Sequence, residues 1–204
     1  MKSTTKPAGD PRGWEDGELV AAVLDGRKEL FSVLVERHQQ PVYSYLHRLL
    51  LRDEESARDL AQTVFLKTYR NLRAVDPARP LLPWLYRIAH NEAANHLRGR
   101  SRRPEAGLEP EDWARVADPA GDTPERALAQ RQEHAALHRA LAALKPRLRS
   151  AVVLHYFEER SYQEIAEILQ VPLGTVGTYL HRGRNALREA LGGALPGEPD
   201  RGPD

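Results

Sequence analysis

The stretch from Ser161 to Arg188, SYQEIAEILQVPLGTVGTYLHRGRNALR, constrains the fold of this 204-residue chain more than any other. Ser161 followed by Glu164 three residues later is typical of a capping box, which predicts the start of a helix. Pro172 disfavours helical geometry at the residue before it, so the first helix should stop at Gln170. The stretch therefore predicts two short helices joined by a tight turn.

The second helix of this stretch has two contrasting faces. One face has apolar or small residues at a period near 3.6, which predicts a buried stripe: Val176, Leu180, Gly183 and Leu187. The glycine in that stripe predicts the close approach of a neighbouring element. The opposite face and its edges carry the candidate DNA contacts: Thr175, Gly177, Thr178, His181, Arg182, Arg184, Asn185 and Arg188.

No acidic residue lies between Pro172 and Arg188. Hydroxyl, amide and guanidinium groups can therefore bond phosphate oxygens, or base edges in a major groove about 12 Å wide, without a carboxylate repelling the phosphates. The pattern indicates a helix-turn-helix that binds DNA. An amphipathic helical hairpin whose polar face is merely solvated is the alternative, because helix pairs are common.

The composition excludes several other classes of protein. The chain has no cysteine, so disulfides, thiolate metal ligands and a cysteine nucleophile are absent from it. His134 and His138 are spaced i, i+4 without a third ligand in view, so a surface pair is expected and no metal or other cofactor. With no apolar run of about 18 residues and no signal peptide, we expect a cytoplasmic protein that does not insert into membranes.

Apolar positions at helical spacing predict an N-terminal helical bundle over residues 15–103, after a disordered tail at 1–14. Pro41 is expected to end one helix of this bundle, and Asp53 to cap another. The helix after Asp53 places polar residues on its outer face, where charged side chains are normally only solvated: Asp59, Gln62, Thr63 and Lys67.

The last part of this bundle combines a proline-rich loop, residues 71–83, with a basic helix. Tyr86, His90 and Asn91 could stack on or hydrogen-bond unpaired bases. Four arginines at the end of the helix predict a patch that binds phosphates: Arg98, Arg100, Arg102 and Arg103. An ordinary core role for the aromatic residues is the alternative.

Residues 104–124 differ sharply in composition from what surrounds them. From Pro104 to Glu125 there are four prolines and seven acidic residues against one arginine, a net charge of −6. This predicts a flexible acidic linker, in which Trp113 could anchor a partner. The fold is thus expected to be all-α: two small helical domains, 15–103 and 125–191, with a disordered tail at 192–204.

Three motifs give the chain a resemblance to a known family. The helix-turn-helix run, the motif D-L-x-Q-x-V-F at residues 59–65, and W-L-Y-x-I-A-x-N-x-A-x-x-H-L-R at residues 84–98 are similar to those of bacterial extracytoplasmic-function sigma factors. The resemblance implies that Asp59, Gln62 and Phe65 dock on the beta-prime clamp of core RNA polymerase. Thr63 stands where the family usually has an acid.

The resemblance also implies roles for the two DNA-binding surfaces. The helix with Tyr86, His90, Asn91 and the four arginines would engage the melted −10 element and adjacent phosphates, with the loop from Asn71 capturing a base. The second helix of the helix-turn-helix would read the duplex −35 element. Many relatives have lysine and arginine where Gly177 and Tyr179 stand, so we expect weaker or altered −35 binding.

The function expected from this resemblance is that of an alternative sigma factor, which binds core RNA polymerase and promoter DNA and catalyses no reaction. It would be a monomer when free and would be restrained by an anti-sigma factor. A stand-alone DNA-binding regulator is the second hypothesis, although it leaves the D-L-x-Q-x-V-F helix unexplained. A helical enzyme is the third, and no phosphate-binding loop or cluster of carboxylates and histidines supports it.

Overall fold

A computed structural model describes residues 10–102 and 135–191 of the chain, with side chains up to residue 99 in the first range. All regular secondary structure in these ranges is helical, and the expected architecture of two helical domains is confirmed. The linker at 104–124 and the tail at 192–204 lie outside the described residues. The helices are α1 Asp16–Leu24, α2 Phe31–Leu49, α3 Glu54–Arg70, α4 Leu81–Arg102, α5 over residues 135–143, α6 Pro146–Tyr156, α7 Tyr162–Leu169 and α8 Leu173–Ala190.

The N-terminal domain packs α1, α3 and α4 around α2. Its core is a set of almost fully buried apolar side chains, including Leu19, Leu34, Val42, Tyr45, Leu46, Val64, Leu81 and Leu85. Asp53 caps α3 as predicted, because its Oδ1 accepts a hydrogen bond from the Ser56 backbone N–H at 3.1 Å. At the start of α1 the Glu15 backbone N–H donates to Oε2 of Glu18 at 2.8 Å.

The prediction that Pro41 ends a helix is wrong, because α2 runs through it without interruption. A proline inside a helix costs about 3 kcal/mol, since it removes one backbone hydrogen bond and crowds the preceding turn. Buried residues lie on both sides of it and continue a single apolar face: Leu34, His38, Val42, Tyr45, Leu46 and Leu49. Burial of that face against α3 and α4 outweighs the local cost.

The C-terminal domain follows the predicted helix-turn-helix closely. Ser161 and Glu164 form both bonds of the capping box, and α7 ends before Gln170, which adopts a left-handed conformation at φ 54°. The predicted close approach at Gly183 is confirmed. A Cβ atom added there would lie 2.5 Å from Cγ2 of Val152 on α6, so only glycine lets the two helices meet.

His138 differs from its expected place at the surface, because it is only 7% exposed. Burial, together with the charges of Arg52, His47 and Arg149, lowers the pKa of His138 to about 4. The i, i+4 spacing alone could not show that α5 turns this side chain inward. Its i, i+4 partner, His134, lies outside the described residues.

The two domains pack against each other, α6 against α2 and α7 against α4. The buried guanidinium of Arg149 joins them, since Nη1 donates to the backbone carbonyl of Leu49 at 2.9 Å. The same guanidinium donates to three carbonyls near the end of α5, those of Leu141, Ala142 and Leu144. This contact between the domains was not part of the prediction from sequence.

Candidate nucleic-acid interface

The outer face of α8 is exposed while its inner face is buried. The four buried residues of the helix are those of the predicted stripe, Val176, Leu180, Gly183 and Leu187. Five of the candidate DNA contacts are exposed: Thr178, His181, Arg182, Asn185 and Arg188. The other three, Thr175, Gly177 and Arg184, lie half-buried at the edges of this face. The outer face therefore presents hydroxyl, imidazole, amide and guanidinium groups to solvent.

Contacts among these exposed side chains are local to the helix. The Thr178 hydroxyl donates to the Gly174 carbonyl at 3.1 Å, and Asn185 Nδ2 lies 3.5 Å from His181 Nε2. A Cβ added at Gly174 or Gly177 would meet no atom within 4 Å. The first turns of α8 consequently expose bare backbone, which a ligand can approach closely. Leu173, 56% exposed in the first turn, was not singled out from the sequence because it precedes the periodic stripe.

The face of α4 that carries Tyr86 is covered. Tyr86 is 1% exposed, and its ring lies tilted against Tyr45 with the centroids 5.1 Å apart. Its hydroxyl donates to Oε2 of Glu158, in the C-terminal domain, at 2.6 Å. Burial and the interaction with Glu158 raise the pKa of the Tyr86 hydroxyl. Its role as a DNA contact stays a prediction, and it requires the C-terminal domain to move away.

His90 lies one turn further along α4 and is half-buried. Its Nδ1 is 3.4 Å from the Tyr45 hydroxyl. Burial, assisted by the positive charge of Arg147, lowers the pKa of His90 to about 4. His90 is therefore a neutral imidazole near pH 7 in this arrangement.

The remaining candidate −10 contacts are more accessible where the structure describes them. Asn71 and Asn91 are exposed, and the Asn71 amide donates to the Lys67 carbonyl at the end of α3. Arg98 is exposed and bonds Asn95 one turn earlier. Arg100 and Arg102 belong to the last turn of α4, but their side chains, and the whole of Arg103, lie outside the described residues.

The outer face of α3 carries two of the three candidate polymerase contacts. Asp59 and Gln62 are exposed, whereas Phe65 is 8% exposed and packs in the core. Leu66 is 58% exposed, seven residues after Asp59 and four after Gln62, so it shares their face. The sequence reasoning missed this leucine, although its spacing from Asp59 and Gln62 was the available signal.

Residues 10–102 and 135–191 contain neither a metal-binding cluster nor a membrane-spanning helix. No group of three or more histidine, aspartate or glutamate side chains there could hold a metal ion. Within the same ranges no helix is both long and apolar enough to cross a membrane.

Two family models match the chain, one for each domain. The model described as sigma-70 region 2 matches residues 34–103, and the model described as sigma-70 region 4 matches residues 134–187. The first match contains α3, α4 and most of α2. The second match contains the helix-turn-helix.

Relatives and solved structures agree with these matches. The chain is 36% identical to the RNA polymerase sigma-H factor of Pseudomonas aeruginosa, over 87% of this chain and 94% of that protein. It is 33% identical to the ECF RNA polymerase sigma factor SigW of Bacillus subtilis, over 84% and 94%. Its fold is similar to that of the sigma factor RpoE of Bartonella quintana, solved with the anti-sigma factor NepR, with a TM-score of 0.63 and 23% identity over 79% of this chain and 96% of that one. The chain therefore belongs to the extracytoplasmic-function (ECF) sigma factors, which are alternative sigma factors of RNA polymerase.

Proposed function

We propose that this sigma factor binds core RNA polymerase through α3 and positions it at promoters through two separate DNA contacts. The exposed face of α8, which carries no acidic residue between Pro172 and Arg188, is the observation that carries the proposal. The buried stripe on the opposite side of α8 anchors this helix to α6 and α7, so the exposed side chains are presented on a rigid element. Such a helix fits the major groove of a duplex −35 element.

The polymerase contact is assigned to the outer face of α3. Asp59 and Gln62 offer a charge and an amide there, and Leu66 adds an exposed apolar side chain between polar neighbours. An exposed apolar residue that is ringed by polar ones, and that becomes buried when a partner binds, is typical of the centre of a protein interface. Phe65 acts from the inside, because its burial fixes the rotation of α3 about its axis.

The −10 contact is assigned to α4 and to the loop that begins at Asn71. Arg98 and the arginines that follow it would neutralise phosphates, and Tyr86, His90 and Asn91 would contact unpaired bases. Extruding a base from a duplex costs a few kcal/mol, which stacking and hydrogen bonds in the loop would offset.

The chain would work in the cytoplasm as a monomer until it meets its partners, and it would supply binding energy for melting without catalysing a reaction. A protein that covers one or both domains would hold it inactive. The Bartonella structure, which contains an anti-sigma factor, supports an anti-sigma partner for this chain as well.

The test is transcription in vitro from fragmented genomic DNA with core RNA polymerase, with and without the chain, followed by sequencing of the start sites. We expect new start sites that share two spaced upstream elements and that require the chain. Asp59→Ala with Gln62→Ala should abolish both binding to core and the new starts, while Glu55→Ala, on an exposed position of the same helix, should leave both intact. A chain that ignores core polymerase yet binds duplex DNA as a dimer would instead be a stand-alone regulator.

A further inference from the structure

Glu158 is an acidic residue of the C-terminal domain whose carboxylate is held by the N-terminal domain. It follows α6, and its side chain is 7% exposed. One oxygen accepts a hydrogen bond from Nη1 of Arg48 at 2.8 Å, and the other accepts one from the Tyr86 hydroxyl at 2.6 Å. Arg48 also lies over the ring of Phe157, 5.0 Å from its centroid.

The donors that meet at this carboxylate are those that bind anions in general. A guanidinium and a phenol hydroxyl give short, charge-assisted hydrogen bonds to carboxylate and to phosphate alike. Arg48 lies in the last turn of α2 and Tyr86 lies on α4, so the two donors converge only because these helices pack side by side. Both donors, Arg48 and Tyr86, belong to the N-terminal domain, whereas the carboxylate of Glu158 belongs to the C-terminal domain.

Tyr86, the buried donor of the two, belongs to the surface assigned above to single-stranded DNA. Tyr86 cannot reach a nucleic acid while Glu158 occupies its hydroxyl, because it is 1% exposed. His90, on the same helix, is half-buried and close to the charge of Arg147 from α6. Moving the C-terminal domain away would expose Tyr86 and free Arg48 in one step.

We propose that Arg48 and Tyr86 form a binding site for a backbone phosphate of single-stranded promoter DNA, and that Glu158 occupies this site in the closed chain. DNA and the C-terminal domain then compete for the same two donors. The proposal deepens the function proposed above and rests on it, since it adds Arg48 to the −10 surface. The free sigma factor would be held closed until polymerase or DNA separates its domains.

One further ion pair crosses between the domains and defines the matched control. Arg79 Nη2 lies 2.6 Å from Glu167 Oε2, but both side chains are largely exposed, at 63% and 46%. Exposed pairs of this kind contribute little. Glu167→Gln therefore removes one interdomain charge pair of the same type without emptying the anion site. Glu158→Gln keeps the shape of the side chain and one hydrogen-bond acceptor, so both variants should fold.

The experiment measures domain separation and DNA binding on the full-length chain without polymerase. The chain has no cysteine, so Glu55→Cys on α3 and Glu189→Cys on α8, both exposed, can carry a pair of labels for distance measurement. The DNA probe is a fluorescent single-stranded 20-nucleotide oligonucleotide of mixed sequence, titrated at several salt concentrations. Circular dichroism confirms that each variant is folded.

We expect Glu158→Gln to lengthen the distance between the labels and to tighten oligonucleotide binding about 5- to 10-fold, as the closed population falls. Glu167→Gln should change neither quantity. Adding Arg48→Ala to Glu158→Gln should reverse the gain and reduce the slope of log affinity against log salt by about 0.7, the value for one phosphate contact on a single strand.

Three outcomes would overturn the proposal. An unchanged label distance in Glu158→Gln would show that Glu158 does not hold the chain closed. A longer distance without tighter oligonucleotide binding would show that Arg48 and Tyr86 do not receive a phosphate. An equal response of Glu167→Gln would reduce Glu158 to one interdomain charge among several. Failure to bind core polymerase in the transcription assay would refute the proposed function while leaving these measurements readable.

Discussion

The two helices assigned to DNA, α8 and α4, are alike in sequence pattern but opposite in accessibility. Both have one apolar stripe and an outer face of polar, basic and imidazole side chains. On α8 that face is open, with Arg182, Asn185 and Arg188 exposed. On α4 the C-terminal domain covers Tyr86 and half-buries His90. Packing can therefore leave one of two similarly patterned helix faces open to solvent and cover the other.

One helix, α6, contacts both α8 and the N-terminal domain. Val152 on α6 receives Gly183, which seats α8 with its outer face turned to solvent. Arg149, on the same helix, reaches the Leu49 carbonyl at the end of α2 and fixes the other domain.

Replacing Arg149 with methionine should break the contact between the domains and weaken the C-terminal domain itself. The substitution removes the guanidinium hydrogen bonds to four carbonyl groups, those of Leu49, Leu141, Ala142 and Leu144. We expect the free energy of unfolding to fall by about 3 kcal/mol or more. Urea denaturation measures it, with the exposed Arg147→Met as the control, which should stay within about 0.5 kcal/mol. Equal losses in the two variants would contradict the prediction.

Acid should destabilise the closed arrangement through His90. Its pKa is about 4 in the folded chain and about 6.5 when unfolded, so the unfolded chain binds a proton first as the pH falls. His90 does not change the free energy of unfolding above about pH 6.5. Between pH 6.5 and 4 its protonation lowers the free energy of unfolding progressively, by up to about 3 kcal/mol. His138, with the same lowered pKa, adds to this loss.

Denaturation at a series of pH values tests this expectation. The His90→Asn variant should show a shallower loss of stability than the parent chain between pH 6.5 and 4, and the part that remains should come from His138. An unchanged slope of the free energy of unfolding against pH in His90→Asn would show that the pKa of His90 is not lowered by burial.

Two glycines of α8 should respond to alanine with opposite signs. At Gly183 the added Cβ would lie 2.5 Å from Val152 Cγ2, so overpacking should cost about 1–2 kcal/mol despite the better helix propensity of alanine. At Gly177 no atom lies within 4 Å, and alanine should stabilise the helix by about 1 kcal/mol. Thermal denaturation compares them. Stabilisation by both substitutions would show that α8 is not pressed against α6.

The smallest effect is expected from adding a charge to the open face. Gly177→Lys has room for its side chain and would add a cation to this face of α8. Binding to duplex DNA should tighten, and the slope of log affinity against log salt should steepen by about 0.9, the value for one more phosphate contact. Gly177→Ala controls for helix propensity. Identical slopes for lysine and alanine would place this turn of α8 away from the phosphates.

Much of the molecule could be predicted because its signals are local. The capping box at Ser161, the end of α7 before Gln170, the cap at Asp53 and the stripe that contains Gly183 all depend on residues within a few turns of each other. Backbone hydrogen bonding and helix periodicity decide such features before any tertiary contact forms. The exposed face of α8 follows from the same stripe, since a helix has only one side left once the other is buried.

Other features depended on groups far apart in the chain, and the tertiary structure alone decided them. Pro41 lies inside α2 because burial of one continuous face outweighs the local cost of proline. His138 is buried and Tyr86 is covered because other elements of the fold pack over them, and Glu158 meets its donor on α4 across 72 residues of sequence. The sequence by itself determined the helix caps and the buried stripe of α8, through short-range hydrogen bonding and periodic burial, and its motifs indicated the family. Only the packing of the two domains decided which of the two helix faces assigned to DNA is open, because that depends on long-range contacts that periodicity does not encode.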